Sequence, residues 1–193
     1  MASTYSTNLK IELIGTGEQA GTWGVTTNSN LGTALEQAIV GKADVTMSST
    51  TITLTLTNTN AAQNARAIYL NLTGSPGGAA VLEVPAIEKP YIVKNGSDQQ
   101  VTIKVSGQTG VPIPTTKTAI VYNNGTDVVT AIDFIPSLVL GAALPVASGG
   151  TGLTTLGTVG QALLVNSGAT ALEYGAAGIT TGKAIAMAIV FGG

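Results

Sequence analysis

The sequence predicts a mainly β protein: an antiparallel β-sandwich or barrel body, one N-terminal helix, and an extended, intertwined C-terminal β segment. Three observations carry this reading. Between Asp44 and Ile135, apolar residues recur with period two and are punctuated by Gly-, Pro- and Asn-rich turns. A single stretch, Leu31 to Ile39, has helical period. The last third combines many glycines with few large side chains, so it has little with which to build a core of its own. The chain therefore divides into an N-terminal arm and helix (1–43), an antiparallel β domain (44–136) and a Gly/Thr-rich oligomerisation segment (137–193).

The arm opens polar and has one strand-like run, Leu9 to Ile14, before the turn-rich Gly15-Thr16-Gly17 and Ala20-Gly21-Thr22-Trp23-Gly24. Trp23, the single tryptophan, is expected to anchor the arm by burial. Leu31, Ala34, Leu35, Ala38 and Ile39 then fall on one helical stripe. Asn28, Ser29 and Asn30 are available as N-caps and Gly41 as the stop, which gives a helix over Ser29–Val40. Its apolar face must dock on a sheet or on other copies of the helix.

In the β region, Ile52, Leu54 and Leu56 alternate with threonines. Ile68, Leu70 and Leu72 form a second alternating run, and Val101, Ile103 and Val105 a third. Asn123-Asn124-Gly125 sits between Ala119–Tyr122 and Val128–Ile132, a hairpin signal. Asp98 and Asp127 read as turn residues bonding nearby backbone, since neither has calcium-loop spacing. Beyond Pro136 follow a linker, the motif Gly149-Gly150-Thr151-Gly152-Leu153, a short strand Ala162–Val165 and the run Gly182–Phe191. In that last run Ile185, Met187, Ile189 and Phe191 alternate with Ala184, Ala186, Ala188 and Val190, as in a strand buried on both faces. An apolar strand left bare would be an aggregation site, so this one is expected to pair with a partner.

Charge supports assembly. Only 9% of residues are charged, against roughly 25% in ordinary soluble domains, and Ser137–Gly193 carries only Glu173 and Lys183. Little self-repulsion opposes association. The net charge of −2 and the lack of a Lys/Arg cluster argue against nucleic acid. No run reaches the length of a membrane-spanning helix, so membrane insertion is not expected. The opening residues do not read as a secretory signal.

Catalysis is not expected either. With no His and no Cys, imidazole and thiol chemistry are unavailable, and no cofactor or metal site is read. The ten carboxylates are scattered, Glu83 and Glu88 being the nearest to a pair. Gly15-x-Gly17 and Gly149-Gly150-Thr151-Gly152 lack the spacing or the lysine of phosphate loops.

Three stretches carry a family resemblance. Pro145 to Ala169, with its Gly149-Gly150-Thr151-Gly152, resembles the GGTG module of tailed-bacteriophage fibre proteins. Gly15 to Gly24, continuing through Asn28–Leu31, resembles the opening of fibre-like proteins of marine and cyanobacterial phages, and Gly182 to Phe191 resembles the closing strand of short virion proteins of such phages. The resemblance implies a non-enzymatic virion structural protein, assembled in the host cytoplasm as a homotrimer and contacting other virion proteins of capsid or tail. A short fibre or fibre adaptor leads. A capsid decoration protein or a receptor- or glycan-binding module, using Tyr91, Tyr122 and Asn123 on a host-surface glycan, is the alternative. A polysaccharide-cleaving glycosidase is a third reading. The interface residues expected are Leu31, Leu35 and Ile39 on the helix and Ile185, Met187, Ile189 and Phe191 in the terminal run.

Overall fold

The computed structural model describes residues 2–137, 140–148, 150–178, 185, 186 and 189–191. These form two compact units, Met1–Phe134 and Ile135–Gly193, so the arm and the β region expected as separate share one unit.

The core of the first unit lies between two facing sheets, and the chain alternates between them. Strands β3 (Lys42–Thr46), β5 (Tyr69–Thr73) and β7 (Glu88–Asn95) lie in one sheet, with β4 (Thr51–Thr53), β6 (Ala80–Val84) and β8 (Val101–Val105) in the other. The pairings β3–β5, β5–β7, β4–β6 and β6–β8 are all parallel. Each consecutive pair of strands is thus one coil of a flattened solenoid, and three coils stack. Strands β9 (Val111–Ile113), β10 (Thr118–Asn124) and β11 (Val128–Thr130) close the last coil, with β9 antiparallel to β8, β10 to β7 and β11 to β10.

The mainly β, two-sheet body is as the alternation predicts, but antiparallel pairing is confined to this cap. Alternation reports that one face of a strand is buried, and it is blind to strand direction. Direction is decided by the connections: the corners after β3, β5 and β7 carry the chain across to the other sheet instead of folding it back beside itself.

Parallel stacking places like positions above one another. Ala43, Leu70, Val93 and Ala119 are register partners across one sheet, and Ile52, Leu82, Ile103 and Val111 across the other. Ala43, Leu70, Val93, Leu82 and Ile103 join Val45, Leu72, Tyr91, Val101, Ile113, Val121 and Val128 in the core, and Ile52, Val111 and Ala119 pack half-buried against it. The outward positions of the same strands are polar or half-exposed.

Strand β7 contains Pro90 and is central, a combination that ordinarily breaks a ladder. Its pairing with β5 begins only at Ile92. The Ile92 N–H donates to Ile68 O, so the Pro90 nitrogen, two residues earlier, points to the same side, before β5 has begun. Its missing N–H deprives no ladder bond.

At the turn between β8 and β9, Gly110 has φ +70°, and a Cβ there would stand 2.3 Å from Ile103 O. Both the left-handed backbone and the contact forbid a side chain. Gly110→Ala is expected to destabilise the body by more than about 1 kcal/mol, read as a lower midpoint in urea.

The arm is a two-strand hairpin, β1 (Thr4–Tyr5) with β2 (Glu12–Leu13), followed by the helix α1. This helix starts at Trp23, earlier than the spacing predicts, and stops at Gly41 as expected. It has three hydrogen-bonding registers: Trp23–Ser29 is α-helical, Asn30–Leu35 widens to i→i+5, and Glu36–Val40 is α-helical again. Asn30 does not cap it. Its side chain pairs with the Glu12 backbone instead, donating to Glu12 O at 2.8 Å and accepting from Glu12 N at 3.2 Å. The helix buries Ala34 alone, and Trp23, expected as a buried anchor, is 61% exposed. The arm is held by polar contacts, so the indole has no core to enter.

In the second unit, β12 (Gln161–Val165) and β13 (Leu172–Ala176) form an antiparallel hairpin. Ala162–Val165 is the strand expected from the sequence. Its turn is organised by Asn166, whose Oδ1 accepts from the N–H groups of Thr170 and Ala171 at 2.9 and 3.3 Å. Upstream, Gly150 N donates to Pro145 O and Gly152 N to Leu144 O, both at 3.0 Å. A Cβ at Gly150 would lie 2.1 Å from Leu144 O. The described part of the Gly-Gly-Thr-Gly motif is therefore a turn doubling back on Leu144–Pro145, and Gly149 lies outside the described residues.

The terminal run departs from expectation. Residues 185, 186 and 189–191 are helical, not extended. Alanine, which fills every second position, and methionine are strong helix formers. In one chain without a partner strand, a helix is the local way to satisfy the backbone. Gly182, Lys183, Ala184, Met187 and Ala188 lie outside the described residues.

Candidate functional site

Of the expected interface residues, Leu31, Ile39, Ile185, Ile189 and Phe191 are solvent-facing in the isolated chain. On α1, Leu31 is 56% and Ile39 60% exposed, Leu35 is half-buried, and Trp23, Val25 and Val40 extend the apolar surface. In the terminal run, Ile185, Ile189 and Phe191 are exposed, and Met187 lies outside the described residues. No described residue of 135–193 is buried. Leu156 and Val159 stand almost fully in solvent, and Leu163, Leu164 and Val165 are exposed on a hairpin with both edges unpaired among the described residues. The helix and the terminal run belong to different units, and each presents its own apolar surface.

The residues named for glycan contact do not share a surface. Tyr91 and Asn123 are fully buried, and only Tyr122 is exposed. Asn123 Nδ2 donates to Pro85 O at 2.8 Å and its Oδ1 accepts from Gly125 N at 3.0 Å, so this amide shapes a turn inside the body. The carboxylates are equally dispersed. Glu83 on β6 accepts from Thr53 Oγ1 and Ser106 Oγ, while Glu88 lies on β7 in the other sheet. Among the described residues no cluster of carboxylates could hold a metal ion.

Asp127 bonds nearby backbone as the sequence predicts, and reaches further. Its carboxylate accepts from Val128 N at 2.7 Å and from Gly110 N at 2.9 Å, tying the β10–β11 turn to the β8–β9 turn. Partial burial raises its pKa, and hydrogen bonds from Gly110, Val128, Val105 and Thr109 outweigh this, holding it below the ordinary aspartate value. The resulting stability is present above the unfolded pKa and fades as pH falls through the folded one. Asp127→Ala is expected to cost about 1–2 kcal/mol at neutral pH and to narrow the stability gap between neutral and acidic pH in denaturant titrations. Asp98, the other expected turn residue, contributes its backbone N–H to Gly74 O at 3.4 Å, and the bonding within that turn is done by Asn95. Asn95 Nδ2 donates to Gln99 O and Ile113 O, both at 2.8 Å, and its Oδ1 accepts from Ser97 N and Oγ.

Sequence reasoning missed a buried cluster of cations. Arg66, in the 3-10 turn Asn64–Arg66, has no exposed surface. Its guanidinium donates to three carbonyls: Nε to Leu9 O at 2.9 Å, Nη1 to Ala61 O and Nη2 to Thr59 O, both at 2.8 Å. Lys89 on β7, also buried, donates from Nζ to Arg66 O and Ala67 O at 2.5 and 2.8 Å and lies 4.3 Å over the Tyr91 ring. The Tyr91 hydroxyl donates to Ala65 O at 2.9 Å. Together the three side chains bond five carbonyls of the 59–67 loop and that of Leu9 in the arm. Burial, with the Arg66 charge second, lowers the Lys89 pKa from the ordinary 10.5 to about 7, and burial raises that of Tyr91. Each guanidinium nitrogen of Arg66 gives one hydrogen bond to a carbonyl, and the Lys89 ammonium is met by two carbonyl oxygens and the Tyr91 ring face.

No family model, curated protein or solved structure matches the chain.

Proposed function

We propose that the protein is a non-enzymatic structural component of a phage virion, a short fibre or fibre adaptor that works as a homotrimer. One observation carries the assembly reading: 135–193 has an apolar, nearly uncharged sequence, yet no described residue in it is buried. A segment of that composition gains enough burial to stay ordered only against a partner, and its near-neutral surface tolerates a sister copy. The virion assignment and three-fold symmetry rest on the resemblance of the Gly15–Gly24, Pro145–Ala169 and Gly182–Phe191 stretches to phage fibre proteins.

In this reading the solenoid is the rigid body, and the helix face and the terminal run are the contacts with sister chains or with neighbouring capsid or tail proteins. The described residues of the terminal run, 185, 186 and 189–191, are helical in the single chain, and becoming a shared strand would require them to exchange local hydrogen bonds for intermolecular ones. The glycan alternative loses two of its three named side chains to the core, which leaves it without a platform around Tyr122.

Native mass spectrometry of the full chain tests the proposal. A trimer is expected, and a monomer persisting at micromolar concentrations would sink the self-assembly reading. Antibody labelling of purified particles tests the virion assignment separately.

A further inference from the structure

The body and the hairpin β12–β13 treat their sheet edges differently. An open edge is a row of unpaired N–H and C=O groups that templates another strand, and charge, proline or a short strand blunts it. The two sheets of the body end on β11 and β3 and on β4 and β9. Strand β3 carries the exposed Lys42 and Asp44, β9 contains Pro112, and β4 and β11 are three residues long. Each of these edges is blunted. The hairpin has none of these devices: both strands run five residues, contain no proline, lysine or arginine, and hold Glu173 as their one charge.

The hairpin's own bonds identify the groups left open. Asn166 N donates to Ala171 O at 2.9 Å at one end, and Ala177 N to Gly160 O at 3.0 Å at the other. Bonded and non-bonded pairs alternate along an antiparallel ladder. The pairs Ala162–Gly175 and Leu164–Glu173 therefore turn their backbone groups inward, and Leu163–Tyr174 and Val165–Leu172 turn theirs out. Gln161 also faces out, but its N–H is taken by Thr158 O at 3.1 Å. The N–H groups of Leu163 and Val165 on β12, and of Leu172 and Tyr174 on β13, have no partner among the described residues. By the period of two, the same four side chains share one face of the hairpin, and Leu164 and Glu173 share the other. The backbone at Gly157 covers the Tyr174 ring, and Leu163 and Val165 stay exposed.

We propose that the hairpins of sister chains join edge to edge, β12 of one copy against β13 of the next, into a closed antiparallel ring with Leu163, Val165, Leu172 and Tyr174 facing its axis. This rests on the trimer proposed for the full chain and names the segment that holds it. Two strands alone are marginal in water, and a neighbour on each edge supplies what this hairpin lacks. A sister copy fits because it brings no opposing charge: Glu173 lies on the outer face, at a position whose backbone is bonded inward. Joining β12 to β13 is a head-to-tail contact, which three-fold rotation closes into a ring. Closure leaves no edge to recruit further copies, so the assembly stops at a fixed size.

Residue-resolved hydrogen exchange of the full chain, at a concentration where native mass spectrometry finds the assembly, tests this. In a lone hairpin protection alternates, with Ala162 and Leu164 slow and Leu163 and Val165 fast. In the ring all four are slow, and the amides of Leu163 and Val165 are expected to exchange within about tenfold of their neighbours. A trimer that keeps the alternating pattern would overturn the edge pairing and leave the trimer standing, whereas a monomeric full chain removes both. Leu163→Pro deletes an outward N–H and none of the hairpin's own bonds, and Leu163→Ala keeps that N–H. On dilution the proline chain is expected to dissociate at concentrations at least about tenfold higher than the alanine chain. Equal dissociation of the two variants refutes the ring. Should Leu163→Pro fail to fold, the exchange pattern of the unmodified protein decides.

Discussion

A chain ending at Phe134 is expected to be a monomer whose thermal and urea midpoints match those of the body in the full-length protein. Every residue of the hydrophobic core lies between Ala43 and Val128, so removing 135–193 deletes no core residue. It does take away Leu156, Val159, Leu163, Leu164, Val165, Ile189 and Phe191, whose apolar surface is exposed in the single chain. Analytical ultracentrifugation of the two lengths side by side reads the effect: an assembly for the full chain and a single-chain mass for the truncation. A truncated chain that keeps the full chain's stoichiometry would move the interface to α1, whose Leu31 and Ile39 would then be the next residues to change. A truncated chain that fails to fold would show that the coils depend on the segment that follows them.

Arg66→Met is expected to destabilise the body by about 1–3 kcal/mol, a large effect for one side chain outside the apolar core. Methionine fills much of the same volume but leaves the carbonyls of Leu9, Thr59 and Ala61 without their donors. A part-buried carbonyl stripped of its partner loses at least the net worth of the bond. The same change removes a positive charge beside Lys89, so the Lys89 pKa should rise. Urea unfolding gives the first quantity and side-chain NMR the second. Loss of stability with an unmoved Lys89 titration would show that burial alone lowers it.

The strands were legible because period two reports a buried face: Leu70 and Leu72, Val101 and Ile103, and the Asn124–Asp127 hairpin all fall where the alternation puts them. Their direction was not legible, since alternation is identical in parallel and antiparallel neighbours. Strand β7 was hidden by Glu88-Lys89-Pro90, which reads as a polar loop until the position of Pro90 beyond the end of β5 is known. Of the candidate interface, the apolar stripe of α1 was visible, but its exposure depends on how little the arm docks. The terminal run misled because Ala alternating with Ile and Met satisfies a strand pattern and a helix propensity together. Arg66 and Lys89 were invisible for a different reason. A buried cation is recognised by its partners, and Leu9 is 57 residues away from Arg66 along the chain.

The stacking of β3–β4, β5–β6 and β7–β8 has a consequence for how such a molecule can change size. Each coil pairs only with the coil above and the coil below, so the body is a one-dimensional array with two distinct ends, an arm and helix before it and an antiparallel cap after it. Duplicating the middle coil would lengthen the stack by one strand spacing, about 4.8 Å, and disturb neither end. A protein built this way can adjust its reach in discrete steps, one tandem duplication at a time.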